Sequence, residues 1–204
     1  NPLPMNRRKI LRTGTLGTLG LIAAQPYQTA RHRLEACIPR LAAGRRFDQV
    51  LADPPEAIVL AAVEQARGMG AELVVGFGGG SSMDVAKLVA LLAHPDCSQQ
   101  LADLYGVGNA RGRRLPLIQV PTTAGTGSEV TPVAIVTTGA TTKQGVVSPL
   151  LLPDLALLDA DLTLGLPPAV TAATGIDAMV HAIESYTSAH KKNPLSDLLG
   201  REAL

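Results

Sequence analysis

The chain predicts an α/β fold built on a parallel sheet, and three observations carry that expectation. Between residues 54 and 120, helical stripes and strand-length apolar runs succeed one another as helix, strand, helix, strand. The runs Glu72-Leu-Val-Val-Gly-Phe77 and Leu115-Pro-Leu-Ile-Gln-Val120 are apolar with little alternation, as strands covered on both faces are. Each run also opens into a loop of glycines and hydroxyl residues, and ligands of open parallel sheets gather at the carboxyl ends of strands.

Residues 1 to 46 show neither clear alternation nor a sustained helical stripe. They hold nine of the 18 Lys and Arg but a single acid, Glu35. The rest of the chain is acidic, so the opening reads as an atypical basic segment without a recognisable strand. A short helix is expected over 31 to 41, with Pro39 arguing for an early end. Asn6-Arg-Arg-Lys-Ile-Leu superficially resembles a twin-arginine export signal, but its apolar part is thin and broken by three glycines. From Phe47 the pattern becomes regular. Pro54-Pro55-Glu56 opens a helix to about Arg67, with Ile58, Val59, Ala62, Val63 and Ala66 on one face. A second helix is expected from about Met83 to Ala93. Short strands are expected over Val133 to Thr137, Gly145 to Ser148 and Leu155 to Leu158. After Pro167-Pro168 the pattern is helical to about Ser188. Three regions follow: the basic segment 1–46, an α/β domain 47–166, and the start of a helical region 167–204.

The overall charge of +1 gives no general attraction to nucleic acid, and no apolar run approaches membrane-spanning length. Cys37 and Cys97 lie far apart in no recognisable pattern, which favours reduced thiols and a cytoplasmic setting.

Gly76-Phe-Gly-Gly-Gly-Ser-Ser-Met-Asp84 sits at a strand-to-helix junction, where glycines let the backbone approach a ligand. Free N–H groups at the helix start suit phosphate, and Ser81 and Ser82 can cap the helix or donate to the ligand. The segment matches neither the GxGxxG fingerprint nor a P-loop, because no Ser or Thr follows Lys87. Pro121-Thr-Thr-Ala-Gly-Thr-Gly-Ser-Glu-Val-Thr131 is a hydroxyl-rich loop past the next strand. Either loop alone is equally compatible with a solvated turn; two on one sheet edge favour a nucleotide cleft. Asp177 and His181, four apart on a helix, project an oxygen and a nitrogen donor from one face, a pairing suited to Fe²⁺ or Zn²⁺. Two donors are half a site, and a satisfied helix-surface pair is the simpler reading of them alone. Lys143, in a turn-like stretch, reads on its own as a surface lysine.

Taken together, Gly78-Gly-Gly-Ser-Ser-Met-Asp-Val-Ala-Lys87, Pro121 to Thr131 and Thr174-Gly-Ile-Asp-Ala-Met-Val-His-Ala-Ile-Glu184 resemble the iron-containing (group III) alcohol dehydrogenases, from about Phe47 to Leu204. The resemblance implies a Rossmann-like, dehydroquinate synthase-like dinucleotide-binding domain, followed by an all-helical domain of which only the start is present. It implies that Gly79, Gly80 and Ser81 meet the coenzyme pyrophosphate, that Thr122, Thr123 and Thr131 line the nicotinamide side, and that Lys143 contacts the coenzyme. Asp177 and His181 match the first two ligands of the metal, Fe²⁺ or Zn²⁺. The implied activity is hydride transfer between NAD or NADP and an alcohol or aldehyde, often in homo-oligomers, with no nucleic acid or membrane partner.

Two departures stand out. The family's two further histidine ligands lie downstream of anything in this chain, and its opening strand with a ribose-reading acid has no recognisable counterpart in residues 1 to 46. The chain therefore reads as incomplete and impaired, with an unpaired sheet edge and poor solubility expected. A non-catalytic nucleotide-binding remnant is the rival reading. A metal-independent, maleylacetate reductase-like enzyme is disfavoured by Asp177, for which it has no use.

Overall fold

A computed structural model describes residues 19–24 and 46–204; for 19–24 it defines the strand only. Among the described residues, eight strands and four α-helices run in the order β1 (Leu19–Ala24), β2 (Arg46–Val50), α1 (Glu56–Gly68), β3 (Leu73–Gly78), α2 (Gly80–Leu92), β4 (Gly106–Val107), β5 (Leu117–Pro121), β6 (Val133–Thr138), β7 (Thr142–Val147), β8 (Leu155–Ala156), α3 (Pro168–Thr187) and α4 (Pro194–Ala203). Five strands form one sheet in the order β2-β1-β3-β5-β8, and all four pairings are parallel. The α/β expectation for the middle of the chain holds.

The opening segment requires a correction. Leu19–Ala24 is a strand, inserted between β2 and β3, with Leu19 opposite Leu73 and Ala23 opposite Phe77. The sheet edge expected to be unpaired at this point is filled, and among the described strands the outermost are β2 and β8. Leu-Gly-Leu-Ile-Ala-Ala lacks polar alternation, as strands of parallel sheets commonly do, so its apolar run passes for a signal-like stretch. The expected helix over 31–41, the Arg-rich stretch, Glu35 and Cys37 lie outside the described residues.

The chain leaves β1 for β2 on one side, then crosses back to β3 on the other. The strand order therefore reverses between β1 and β3, and a crevice opens at the carboxyl ends beside such a reversal. β3 is buried over five of its six residues and ends at Gly78, whose φ of 143° lies where side chains are rarely tolerated.

Helix α2 begins at Gly80, three residues earlier than expected, and is buried all round: ten of its 13 residues are inaccessible. It packs against β3 on one side and against β6 of a second sheet, β4-β7-β6, on the other. The core joins Val59, Ala62, Val63 and Ala66 of α1 to Val85, Leu88, Val89 and Leu92 of α2 and to Leu117, Val136 and Val146. In contrast, α3 buries only Ala182 of its 20 residues, while Ile176, Met179, Val180 and Ile183 are exposed. α4 packs on α3, with Gly200 close to the Ala182 carbonyl. No helix among the described residues is long and apolar enough to cross a membrane.

Candidate active site

The two loops singled out in the sequence follow β3 and β5, which are neighbours, and they touch. A Cβ at Gly79 would lie 3.4 Å from Thr123 Cγ2, and one at Gly80 would lie 3.1 Å from Thr126 Cγ2. The Thr122 amide donates to the Gly78 carbonyl at 2.9 Å. Gly79 is the N-cap of α2, with extended backbone and no side-chain cap. Of the two roles open to Ser81 and Ser82, capping does not occur, since both lie inside the first helical turn. The N–H groups of that turn thus face the loop junction without a capping side chain, a natural seat for an anion.

Three hydroxyls around the junction have no hydrogen-bond partner although buried: Ser82 Oγ, Thr122 Oγ1 and Thr123 Oγ1. Buried polar atoms are normally paired, because desolvating one without compensation costs about 1–3 kcal/mol. Hydroxyls left open beside an uncapped helix start are suited to a polar ligand.

Thr131 is engaged differently. Its hydroxyl accepts from Lys87 Nζ at 3.3 Å and donates to the Ser128 carbonyl at 3.4 Å. Lys87 is wholly buried, and its ammonium also donates to Val133 O at 2.6 Å, Ser128 Oγ at 2.8 Å and Asp84 Oδ1 at 3.3 Å. Ser128 Oγ donates to Asp84 Oδ1 at 2.6 Å, and the Ile135 amide donates to Asp84 Oδ2 at 3.0 Å. Burial pushes the Asp84 carboxyl above its ordinary range, opposed by the Lys87 charge. Burial pulls the Lys87 ammonium down, opposed by Asp84. Sequence reasoning tested Lys87 only against the P-loop pattern and missed this network. An Asp–Lys pair three residues apart inside an otherwise apolar helix was the available signal.

Lys143, on β7, is paired with Asp53 at 2.6 Å. Asp53 lies in the loop after β2 with φ 51°, at the same carboxyl edge of the sheet as the other two loops. That loop is joined to the β6–β7 hairpin by the Thr137 amide, which donates to Pro54 O at 2.9 Å. Both side chains of the ion pair are more than half exposed, so Lys143 stands at the rim of the edge and outside the buried hydroxyl cluster.

Asp177 Oδ1 and His181 Nε2 are 3.5 Å apart on α3, at 43% and 58% side-chain exposure. The separation and access allow one cation to reach both donors. Among the described residues, no third histidine, cysteine, aspartate or glutamate joins them in a group able to hold a metal. The helix is seated on the second loop by a backbone contact. A Cβ at Gly125 would overlap the Thr174 carbonyl oxygen and lie 2.8 Å from its carbonyl carbon. Thr174 is three residues before Asp177, on the same flank of α3. Only glycine permits that approach, a function of Gly125 that sequence reasoning also missed.

Parallel β–α units, a glycine junction beside the strand-order reversal and a hydroxyl loop at its side define an α/β protein of the nucleotide-cleft type. The model of the iron-containing alcohol dehydrogenase family matches residues 20–160, and the chain belongs to that family. The match begins inside β1, earlier than the resemblance from Phe47 suggested. A probable alcohol dehydrogenase, EutG, of Salmonella typhimurium is 50% identical over 148 residues, 72% of this chain and 36% of that protein. The crystal structure of an iron-containing alcohol dehydrogenase from Thermotoga maritima superposes with a TM-score of 0.80 at 37% identity, covering 92% of this chain and 52% of that one. Sulfoacetaldehyde reductase from Bifidobacterium kashiwanohense, solved in complex with NAD⁺, matches at TM-score 0.78 and 34% identity over 89% of this chain and 48% of that one. The chain spans 36–40% of the length of the first two curated relatives and about half of the solved ones.

Proposed function

We propose that this chain carries the coenzyme half of a nicotinamide-dependent alcohol–aldehyde oxidoreductase, together with the first two ligands of its metal. The observation that carries the proposal is the junction of the two loops: an uncapped helix start flanked by buried, partnerless hydroxyls. The α2 N–H groups, with Gly79, Gly80 and Ser81, receive the diphosphate of NAD or NADP. Thr122 and Thr123 donate to the nicotinamide end, Thr131 backs them, and Lys143 meets the coenzyme from the rim. Bound nicotinamide supplies the hydride acceptor or donor.

Asp177 and His181 are the cation-facing donors. A hard oxygen beside an imidazole nitrogen suits Fe²⁺, and Zn²⁺ next. A divalent cation there supplies Lewis-acid polarisation of an alcohol or aldehyde oxygen. Gly125 keeps α3 against the coenzyme loop, so the two halves of the chemistry share one backbone contact.

The second reading, a nucleotide-binding remnant without turnover, is favoured by the pair of donors on α3 that no third donor joins among the described residues. Calorimetry with NAD⁺ and NADP⁺, followed by assays on short alcohols with added Fe²⁺ or Zn²⁺, separates the two. Coenzyme binding with cation-dependent turnover, the latter lost in Asp177→Ala and His181→Ala, supports the enzyme. Coenzyme binding without turnover supports the remnant, and absence of coenzyme binding refutes both.

A further inference from the structure

The lysine that follows a glycine-rich strand-to-helix turn is the residue one would expect to meet a phosphate. Here Lys87 is wholly buried, and its ammonium is taken up by Ser128, Thr131, Val133 and Asp84. All but Asp84 belong to the second loop or the strand it enters. Asp84 completes the clasp from α2, accepting from Ser128 Oγ and from the Ile135 amide. The returning half of the 121–131 loop is thus fastened to α2 by charge-assisted hydrogen bonds. Its outgoing half carries Thr122 and Thr123 with their partnerless hydroxyls. The glycine junction, by contrast, is fixed by chain continuity between β3 and α2 and by the Thr122–Gly78 backbone bond.

We infer that Asp84 and Lys87 are positioning residues: acting through Ser128 and Thr131, they hold the second loop at the distance at which Thr122 and Thr123 engage the nicotinamide end of the coenzyme. The inference rests on the coenzyme reading proposed above. It assigns the buried pair to one end of the ligand, the end read by the second loop, and leaves the diphosphate to α2 and its backbone.

The test compares two ligands on one protein: NAD⁺, which spans both loops, and ADP, which carries the adenosine and diphosphate but no nicotinamide end. The variants are Ser128→Ala, which removes the hydroxyl shared by Asp84 and Lys87, and the double variant Asp84→Leu with Lys87→Met, which replaces the buried pair by apolar groups of similar bulk and keeps the core filled. Isothermal calorimetry on the full chain is expected to show NAD⁺ affinity reduced about tenfold in both, the worth of one charge-assisted hydrogen bond, with ADP affinity nearly unchanged. A purely structural role lowers melting temperature without altering the ratio of the two affinities. Equal losses for both ligands, or no change for NAD⁺, overturn the assignment. If the unaltered chain binds ADP but gains nothing from the nicotinamide end, the assignment falls while the diphosphate site stands. If it binds neither, the coenzyme reading falls as well.

Discussion

Helices α2 and α3 each carry half of the proposed site, and they are held in opposite ways. α2 is enclosed by β3, α1 and the small sheet, and even its lysine is buried with its partners satisfied. Among the described residues α3 is supported chiefly by the glycine contact at Thr174 and by α4, and it leaves Ile176, Met179, Val180 and Ile183 exposed. The coenzyme half of the site is therefore built into the core, whereas the donors of the metal half sit on a helix anchored at few points. Rigidity of a site follows from how many independent contacts determine each element, and the two halves differ in that respect above all.

The contrast can be broken most forcefully at Lys87. Lys87→Met leaves the Asp84 carboxylate buried without its cation and is expected to destabilise the chain by about 3–5 kcal/mol. Ile176→Ser, on the outer side of α3, should change stability by no more than about 0.5 kcal/mol. Urea unfolding of both variants checks this; comparable midpoints would show that α3 is as tightly integrated as α2. An intermediate effect is expected at the joint between the halves. Gly125→Ala forces the loop or α3 to move and should cost about 1–3 kcal/mol of packing. Hydrogen exchange should then quicken across residues 169–187 but not across 81–92, and uniform protection would refute the idea that Gly125 seats α3.

A smaller effect than at Gly125 belongs to an ion pair on the flank of the sheet. Arg114 grips Asp154 with two nitrogens, at 2.7 and 3.0 Å, and Asp154 Oδ2 accepts from the Leu117 amide at the start of β5. The Arg114 hydrogen bond holds the Asp154 carboxyl below its ordinary 3.8. A depressed folded pKa means stability that is present above the unfolded value and lost as pH falls through the folded one. Asp154→Asn should therefore cost about 1 kcal/mol or less at neutral pH, because the carboxylate is more than half exposed. The penalty should shrink below pH 3.8, and a difference independent of pH would exclude the ionised carboxylate as its source.

What the sequence made readable were the elements whose pattern is local. α1 declares itself by its stripe, β3 and β5 by unbroken apolar runs, and α3 by its length after Pro168. β1 escaped notice because six small and apolar residues in an Arg-rich setting offer no periodicity; only its pairing with β2 and β3 makes it a strand. The adjacency of the two loops was readable from the rule that ligands gather at strand carboxyl ends. The partners of the site residues were not. Lys143 meets an aspartate 90 residues earlier, and Lys87 meets hydroxyls more than 40 residues later, distances over which sequence carries no register. The exposure of the Asp177–His181 pair was equally hidden, because a helical stripe states which residues share a face and not what covers it.

The place of β1 in the sheet also bears on how the chain is assembled during synthesis. Among the described strands β2 pairs only with β1, and β1 gains its other neighbour only when residues 73–77 arrive. β1 must therefore wait about 50 residues before that second neighbour is made, a long closure that slows folding and leaves an open edge meanwhile. Loss of the residues up to Ala24 would remove the strand that joins β2 to β3 in the described sheet, whatever the quality of the residues that follow.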